Sequence, residues 1–177
     1  MPIQVVQAYK NYVPPIDAVG VAQLLLNYVP QEYHRELAEI VLTNSAALSR
    51  QRRRERVKSG TAVTNVRGLY YEAWNGRPAR IEIFIDKTLQ SCPPLLLKLP
   101  FMRTFVLSEV LYHEIGHHMQ FLHGRNSGRQ QEKLAEQYAR QLFDLFFKKH
   151  YWYGWPFIVT IRWAWKGTRR HFLRFLK

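Results

Sequence analysis

A single cysteine, Cys92, stands among 177 residues, so neither a disulfide framework nor a four-cysteine zinc ribbon can be built within the chain, and a reducing compartment fits. Acidic residues are scarce and end early: no Asp or Glu follows Asp144, while eight Lys or Arg do. Long apolar runs are missing too. In the tryptophan-rich C-terminal region the longest run without Lys or Arg, His150 to Ile161, has 12 residues, short of the ~20 that span a bilayer. The opening "MPIQVVQAYKNYVPP" lacks the basic head and continuous apolar run of a secretory signal, which predicts a cytoplasmic protein.

What is present predicts a folded chain. Apolar residues make up 47% and aromatics 14%, which excludes an intrinsically disordered polymer despite the charge. The length suits one domain with one core. A net charge of +13 favours an anionic partner, either nucleic acid or a lipid surface. The charge is concentrated in "SRQRRRERVK", residues 49–58, and in the C-terminal region.

Along the chain, "IDAVGVAQLLLNYV" and "EYHRELAEIVLTNSAAL" carry apolar residues at helical spacing and predict two N-terminal helices separated near Pro30. "VRGLYYEAW" and "ARIEIFID" alternate with period two, and "NGRP" between them supplies turn chemistry, predicting a β-hairpin with Ile81, Ile83 and Ile85 on one face. After the proline-bounded "SCPPLLLKLP", the segment "FMRTFVLSEVLYHEIGHHMQFLH" predicts a long helix ending at Gly124, with Gly116 tolerated inside it. "QQEKLAEQYARQLFDLFFKKH" predicts a further helix with a stripe of Leu134, Tyr138, Leu142 and Leu145. The expected class is α+β: N-terminal helices, a small antiparallel sheet, and two long helices packed together.

The first long helix holds the chemistry. His113-Glu114-Ile115-Gly116-His117 matches H-E-x-x-H. Four residues apart on a helix means about 40° and 6 Å, so both imidazoles project from one face and can share one zinc ion. In this pattern Glu114 does not ligate; it hydrogen-bonds the metal's water and acts as general base.

A catalytic zinc needs a third protein ligand. His123 has the spacing of the metzincin third histidine, but that pattern needs glycine at position 120, where this chain has Gln120, and no methionine follows Met119 for the Met-turn. On a straight helix His123 is turned about 240° from His117 and faces away, so capping the helix end suits it better. In "EKLAEQYA", residues 132–139, Glu132 and Glu136 lie four apart on one helix face. H-E-x-G-H followed by this E-x-x-A-acid-x-aromatic-A run resembles the gluzincin metallopeptidases, and particularly the short cytoplasmic ImmA/IrrE-type peptidases. The resemblance covers residues 68–147 in layout and implies a minimal zincin-like domain. It also implies Glu132 as the third zinc ligand and Glu136 as a support that orients His113 or His117.

The implied function is a zinc-dependent endopeptidase acting on a protein or peptide, with residues 1–150 as the metallopeptidase domain. In zincin-like folds the strand before the active helix lies at the sheet edge beside the cleft, a place "ARIEIFID" would take. Tyr112, His118, His123 and Tyr138 are candidate oxyanion stabilisers without a choice among them. Cys92 is either a zinc ligand of a latent form or an idle thiol, the latter being commoner for a lone cysteine. Residues 151–177 form a basic, aromatic extension that either packs on the domain or lies at an interface, where tryptophans suit lipid headgroups and equally suit stacking on bases. The alternative function is a non-catalytic module on a zincin scaffold that binds nucleic acid or an anionic membrane surface. A protease brought to its target by DNA, as in SprT-like enzymes, would join the two.

Overall fold

The computed structural model describes residues 3–57, 60–124 and 129–152. Its elements are β1 (Gln4–Ala8), α1 (Ala18–Leu26), β2 (Leu37–Thr43), β3 (Gly68–Tyr71), β4 (Ala79–Phe84), α2 (Ile85–Leu89), α3 (Pro100–Leu122) and α4 (Arg129–His150). The class is α+β. One four-stranded sheet, in the order β1-β2-β4-β3, carries helices on one face.

Two expectations are corrected here. The second N-terminal helix does not exist: "EYHRELAEIVLTNSAAL" folds as a 3₁₀ turn at Gln31–His34, then β2, then another short turn at Ser45–Ala47. Leu37, Ile40 and Val41 stand at helical spacing, yet Ile40 and Leu42 are fully buried with half-buried Val41 between them, the period of a strand. β-branched Ile40, Val41 and Thr43 favour that choice, and Glu36, at φ +64°, separates the 3₁₀ turn from the strand. The sheet is also mixed rather than antiparallel. β1, β2 and β4 run parallel, pairing Val6 with Val41 and Val41 with Glu82, and only β3 is antiparallel to β4. β1 was not apparent in the sequence because it is an edge strand with mostly exposed side chains.

The hairpin stands as expected. Asn75 and Gly76 both take positive φ, 47° and 76°, and Trp74 pairs with Arg77, the arrangement of a type I′ turn whose twist matches its flanking strands. Ile81 and Ile83 point into the core from β4, while Ile85 is buried one step later at the start of α2.

α1 begins at Asp17, whose carboxylate accepts the Gly20 backbone N–H at 2.9 Å and so satisfies one of the first turn's orphan donors. α3 begins with Pro100, where no N–H is needed, and ends at His123 before Gly124 at φ +96°. Apolar on nearly every side, α3 is the central helix: it lies between the sheet and α4, with Phe105, Leu107, Leu111 and Ile115 fully buried. The seam of α4 is broader than the expected stripe. Ala135, Leu142, Phe143, Phe146 and Phe147 are buried, Tyr138 is half-buried, and Leu134 and Leu145 sit at its margin. Phe105 meets Phe143 edge-on at 5.6 Å, and Phe101 meets Phe147 at 5.8 Å, the geometry that ring quadrupoles prefer.

The sheet's other face is covered by the connection from β2 to β3. Leu48, Val63 and Phe84 form a small apolar cluster there. Beside it the buried Glu82 carboxylate accepts from Arg52 at 2.7 Å and lies 3.3 Å from Arg80. Part of the basic run is therefore structural. Arg52 also contacts the Tyr71 hydroxyl, and Arg53 donates to the carbonyls of Leu48 and Ala46. Among the described residues no helix is long and apolar enough to cross a membrane. Residues 153–177, most of the expected extension, lie outside the described part.

Candidate metal centre

α3 is helical through residue 122, so His113 and His117 are neighbours on its surface, their rings 4.8 Å apart and nearly perpendicular. α4 folds back and brings Glu132, in its first turn, across both. One Glu132 oxygen lies 3.2 Å from His113 Nε2 and the other 3.8 Å from His117 Nε2. One donor atom from each residue falls within 4.8 Å of the other two.

Those spacings fit a shared cation. Around a tetrahedral ion with bonds of about 2.1 Å, ligand atoms stand roughly 3.4 Å from one another. The His113–Glu132 separation, 3.2 Å, and the His117–Glu132 separation, 3.8 Å, lie close to that value, and no separation among the three donor atoms exceeds 4.8 Å. Two imidazoles and a carboxylate are also a donor set that zinc accepts. The Glu132 side chain is 66% exposed and the histidines are half-buried, so the cluster opens to solvent on one side.

Gly116 makes this convergence sterically feasible. A Cβ placed on it would sit 2.3 Å from the carbonyl oxygen of Ala135, a backbone atom that cannot step aside. The glycine thus sets the approach of α4 to α3, three residues along from Glu132. The sequence shows only a glycine inside a helix.

Glu114 takes the neighbouring side of α3 and is buried beneath β3. Burial, and then the charge of Glu132, push its carboxyl up to about 8, opposed by the Arg67 guanidinium and the backbone N–H of Tyr70. Gly68 gives it room, since a Cβ there would lie 2.5 Å from its Oε1. Arg67, immediately before, approaches Glu109 at 3.9 Å. Glu109 is one turn before His113, so this guanidinium stands along the same row of α3 as the two histidines.

No protein-family model, curated protein or solved structure matches this chain. What the site can do rests on its geometry alone.

The remaining candidates divide clearly. Glu136 is exposed, one turn beyond Glu132, and outside the three-residue cluster. His123 is outside it too; its Nδ1 is 2.7 Å from the Met119 carbonyl and its ring stacks on Tyr138 at 5.8 Å. Tyr112 is buried and donates to the Leu25 carbonyl. His118 is wholly buried, with Nε2 2.8 Å from the Arg35 carbonyl and Nδ1 3.0 Å from the Tyr70 hydroxyl. Burial holds its pKa below the usual imidazole value, and a neutral ring uses one nitrogen as donor to Arg35 and the other as acceptor from Tyr70. Tyr112 and His118 thus serve the core. Cys92 is buried with its thiol against the Pro93 carbonyl, away from the cluster, and burial pushes that thiol up.

The expected edge strand is corrected as well. "ARIEIFID" supplies β4, which lies inside the sheet between β2 and β3; the edge strand packed beside α3 is β3. Sequence reasoning missed Arg67 and Gly68, and met Gly116 only as a tolerated helix glycine and a position of the H-E-x-G-H resemblance. Their steric and electrostatic roles depend on what lies opposite in space.

Proposed function

We propose that this protein is a compact zinc-dependent endopeptidase of the gluzincin type, resembling the short ImmA/IrrE-like cytoplasmic peptidases. The observation that carries the reading is the convergence of His113 and His117 from α3 with Glu132 from α4. A minimal zincin-like arrangement is supported by the H-E-x-x-H helix, the sheet whose edge strand β3 runs beside it, and the glutamate-bearing helix packed behind.

In this reading His113, His117 and Glu132 would hold Zn²⁺, which when bound would acidify a water and polarise the scissile carbonyl. Glu114 would accept the proton of the attacking water and pass it to the leaving amine, the task of the glutamate in H-E-x-x-H. Burial under Gly68 orients that carboxyl and keeps bulk water from it. Glu136 orients a ligand histidine through its carboxylate. An extended substrate pairs with β3, whose outer side has no strand partner among the described residues.

Metal analysis of the purified protein together with a Glu114→Gln variant tests the proposal. Wild type should hold one zinc per chain and cleave an unstructured protein; the variant should keep the metal and lose cleavage by about a hundredfold or more. A wild-type protein that takes up no zinc ends the reading. A protein that binds zinc yet cleaves nothing supports the second one, a binding module for an anionic partner, which the net charge of +13 favours.

A further inference from the structure

At the end of the molecule where α3 starts and α4 finishes, the surface changes character. The two helices are joined there by Tyr151, whose ring lies edge-on to Phe101 at 5.4 Å. Around this junction Leu95, Leu99 and Trp152 stand in solvent, 72%, 52% and 75% exposed. Single exposed apolar side chains are ordinary, but three at one end of the molecule make an exposed apolar patch.

The charged residues nearest to them in sequence are cationic, with Asp144 one turn before Lys148. Lys98, Lys148 and Lys149 are exposed at the same end. No Asp or Glu occurs between Asp86 and Glu109, and none after Asp144. Arg103 donates to the carbonyls of Leu97 and Lys98, which holds the turn bearing the two leucines against α3. After Trp152 the sequence continues in kind, with Trp155, Trp163, Trp165 and six more Lys or Arg.

We infer that this end is a docking surface for an anionic lipid bilayer. Leu95, Leu99 and Trp152 enter the boundary between headgroups and acyl chains, and Lys98, Lys148 and Lys149 face the lipid phosphates. Charge complementarity alone would also admit nucleic acid, but exposed leucines neither stack on bases nor pair with phosphates, whereas they gain by leaving water for acyl chains. His113 lies thirteen residues after Pro100, so the metal cluster is carried up to about 20 Å from the docked end and stays open above the bilayer. The inference does not rest on the peptidase reading.

Sedimentation of the full-length protein with vesicles tests it. Wild type should pellet with mixed phosphatidylglycerol–phosphatidylcholine vesicles, release at high salt, and bind pure phosphatidylcholine weakly. The triple variant Leu95→Ser, Leu99→Ser, Trp152→Ser should lose about tenfold or more in partitioning, because apolar area sets the insertion part of the affinity. Lys98→Glu, Lys148→Glu, Lys149→Glu should weaken binding similarly, with helix content checked by circular dichroism for both. Val13→Ser, Trp74→Ser removes equally exposed apolar groups elsewhere and should bind like wild type. No sedimentation with the anionic vesicles overturns the inference. So does undiminished binding by the two patch variants, or duplex DNA binding that persists in them without any lipid binding.

Discussion

At Gly68 one hydrogen atom separates a buried carboxylate from a β-strand. Replacing it with Ala would place a methyl 2.5 Å from Glu114 Oε1, and the flexible carboxylate, not the strand, would yield. We predict that Gly68→Ala retains zinc while its turnover falls by about a hundredfold, the scale on which a 1 Å misplacement of a reacting group acts. Metal analysis beside a kcat measurement checks this; unchanged turnover would remove Glu114 from the chemistry or β3 from its neighbourhood. His118 offers the opposite case, a histidine inside the motif-rich stretch that works only in the core. His118→Ala leaves the Tyr70 hydroxyl and the Arg35 carbonyl without that partner and should lower stability by about 1–3 kcal/mol in denaturant unfolding. His113→Ala, at a more exposed position, should change the metal-free stability little and abolish zinc binding. The pattern "HEIGHH" does not separate these roles, because helical phase relative to the sheet decides which imidazole faces solvent.

Between elements, the α3–α4 contact governs the site. Gly116→Ala drives a methyl into the Ala135 carbonyl, so the helices must part. Overpacking of this kind costs about 1–3 kcal/mol, and here it also withdraws Glu132 from the histidines. The expected outcome is a lower unfolding midpoint and weaker zinc affinity together, measured by denaturation of the metal-free protein and by competition with a chromogenic chelator. Loss of stability with unchanged affinity would show that Glu132 reaches the metal regardless of helix spacing. α3 and α4 were legible from their long unbroken patterns, as were α1 and the hairpin turn at Asn75-Gly76. β2 was not. Seven residues with apolar groups at positions 37, 40, 41 and 42 satisfy either period, and only pairing with β1 and β4 on both sides selects the strand.

Over the whole molecule, zinc bound by α3 and α4 would clasp the start of the second helix to the middle of the first. A ligand that binds only the folded state stabilises it by about 2.7 kcal/mol at a free concentration one hundred times Kd. For a chain of this size that amounts to roughly 5–10 °C in Tm. Removing metal with a chelator should lower the melting temperature of wild type by about that much, and zinc, added back, should restore it. Glu132→Ala should shrink the effect. A melting curve indifferent to chelator would mean that no metal joins the two helices.

By itself the sequence singled out the candidate donors and determined the phase of two of them: H-E-x-x-H on an uninterrupted helical pattern puts His113 and His117 on one face whatever surrounds the helix. It also determined the cationic, tryptophan-rich character of the C-terminal region, since composition needs no fold. Tertiary structure alone decided that Glu132 comes across to the histidines, that β3 rather than β4 borders the site, and that Arg52 spends its charge on a buried glutamate. The physical reason is range. Helical phase and composition are fixed by neighbours in the chain, whereas the approach of α4 depends on a missing Cβ at Gly116, and the place of a strand in a sheet depends on partners 35 or more residues away.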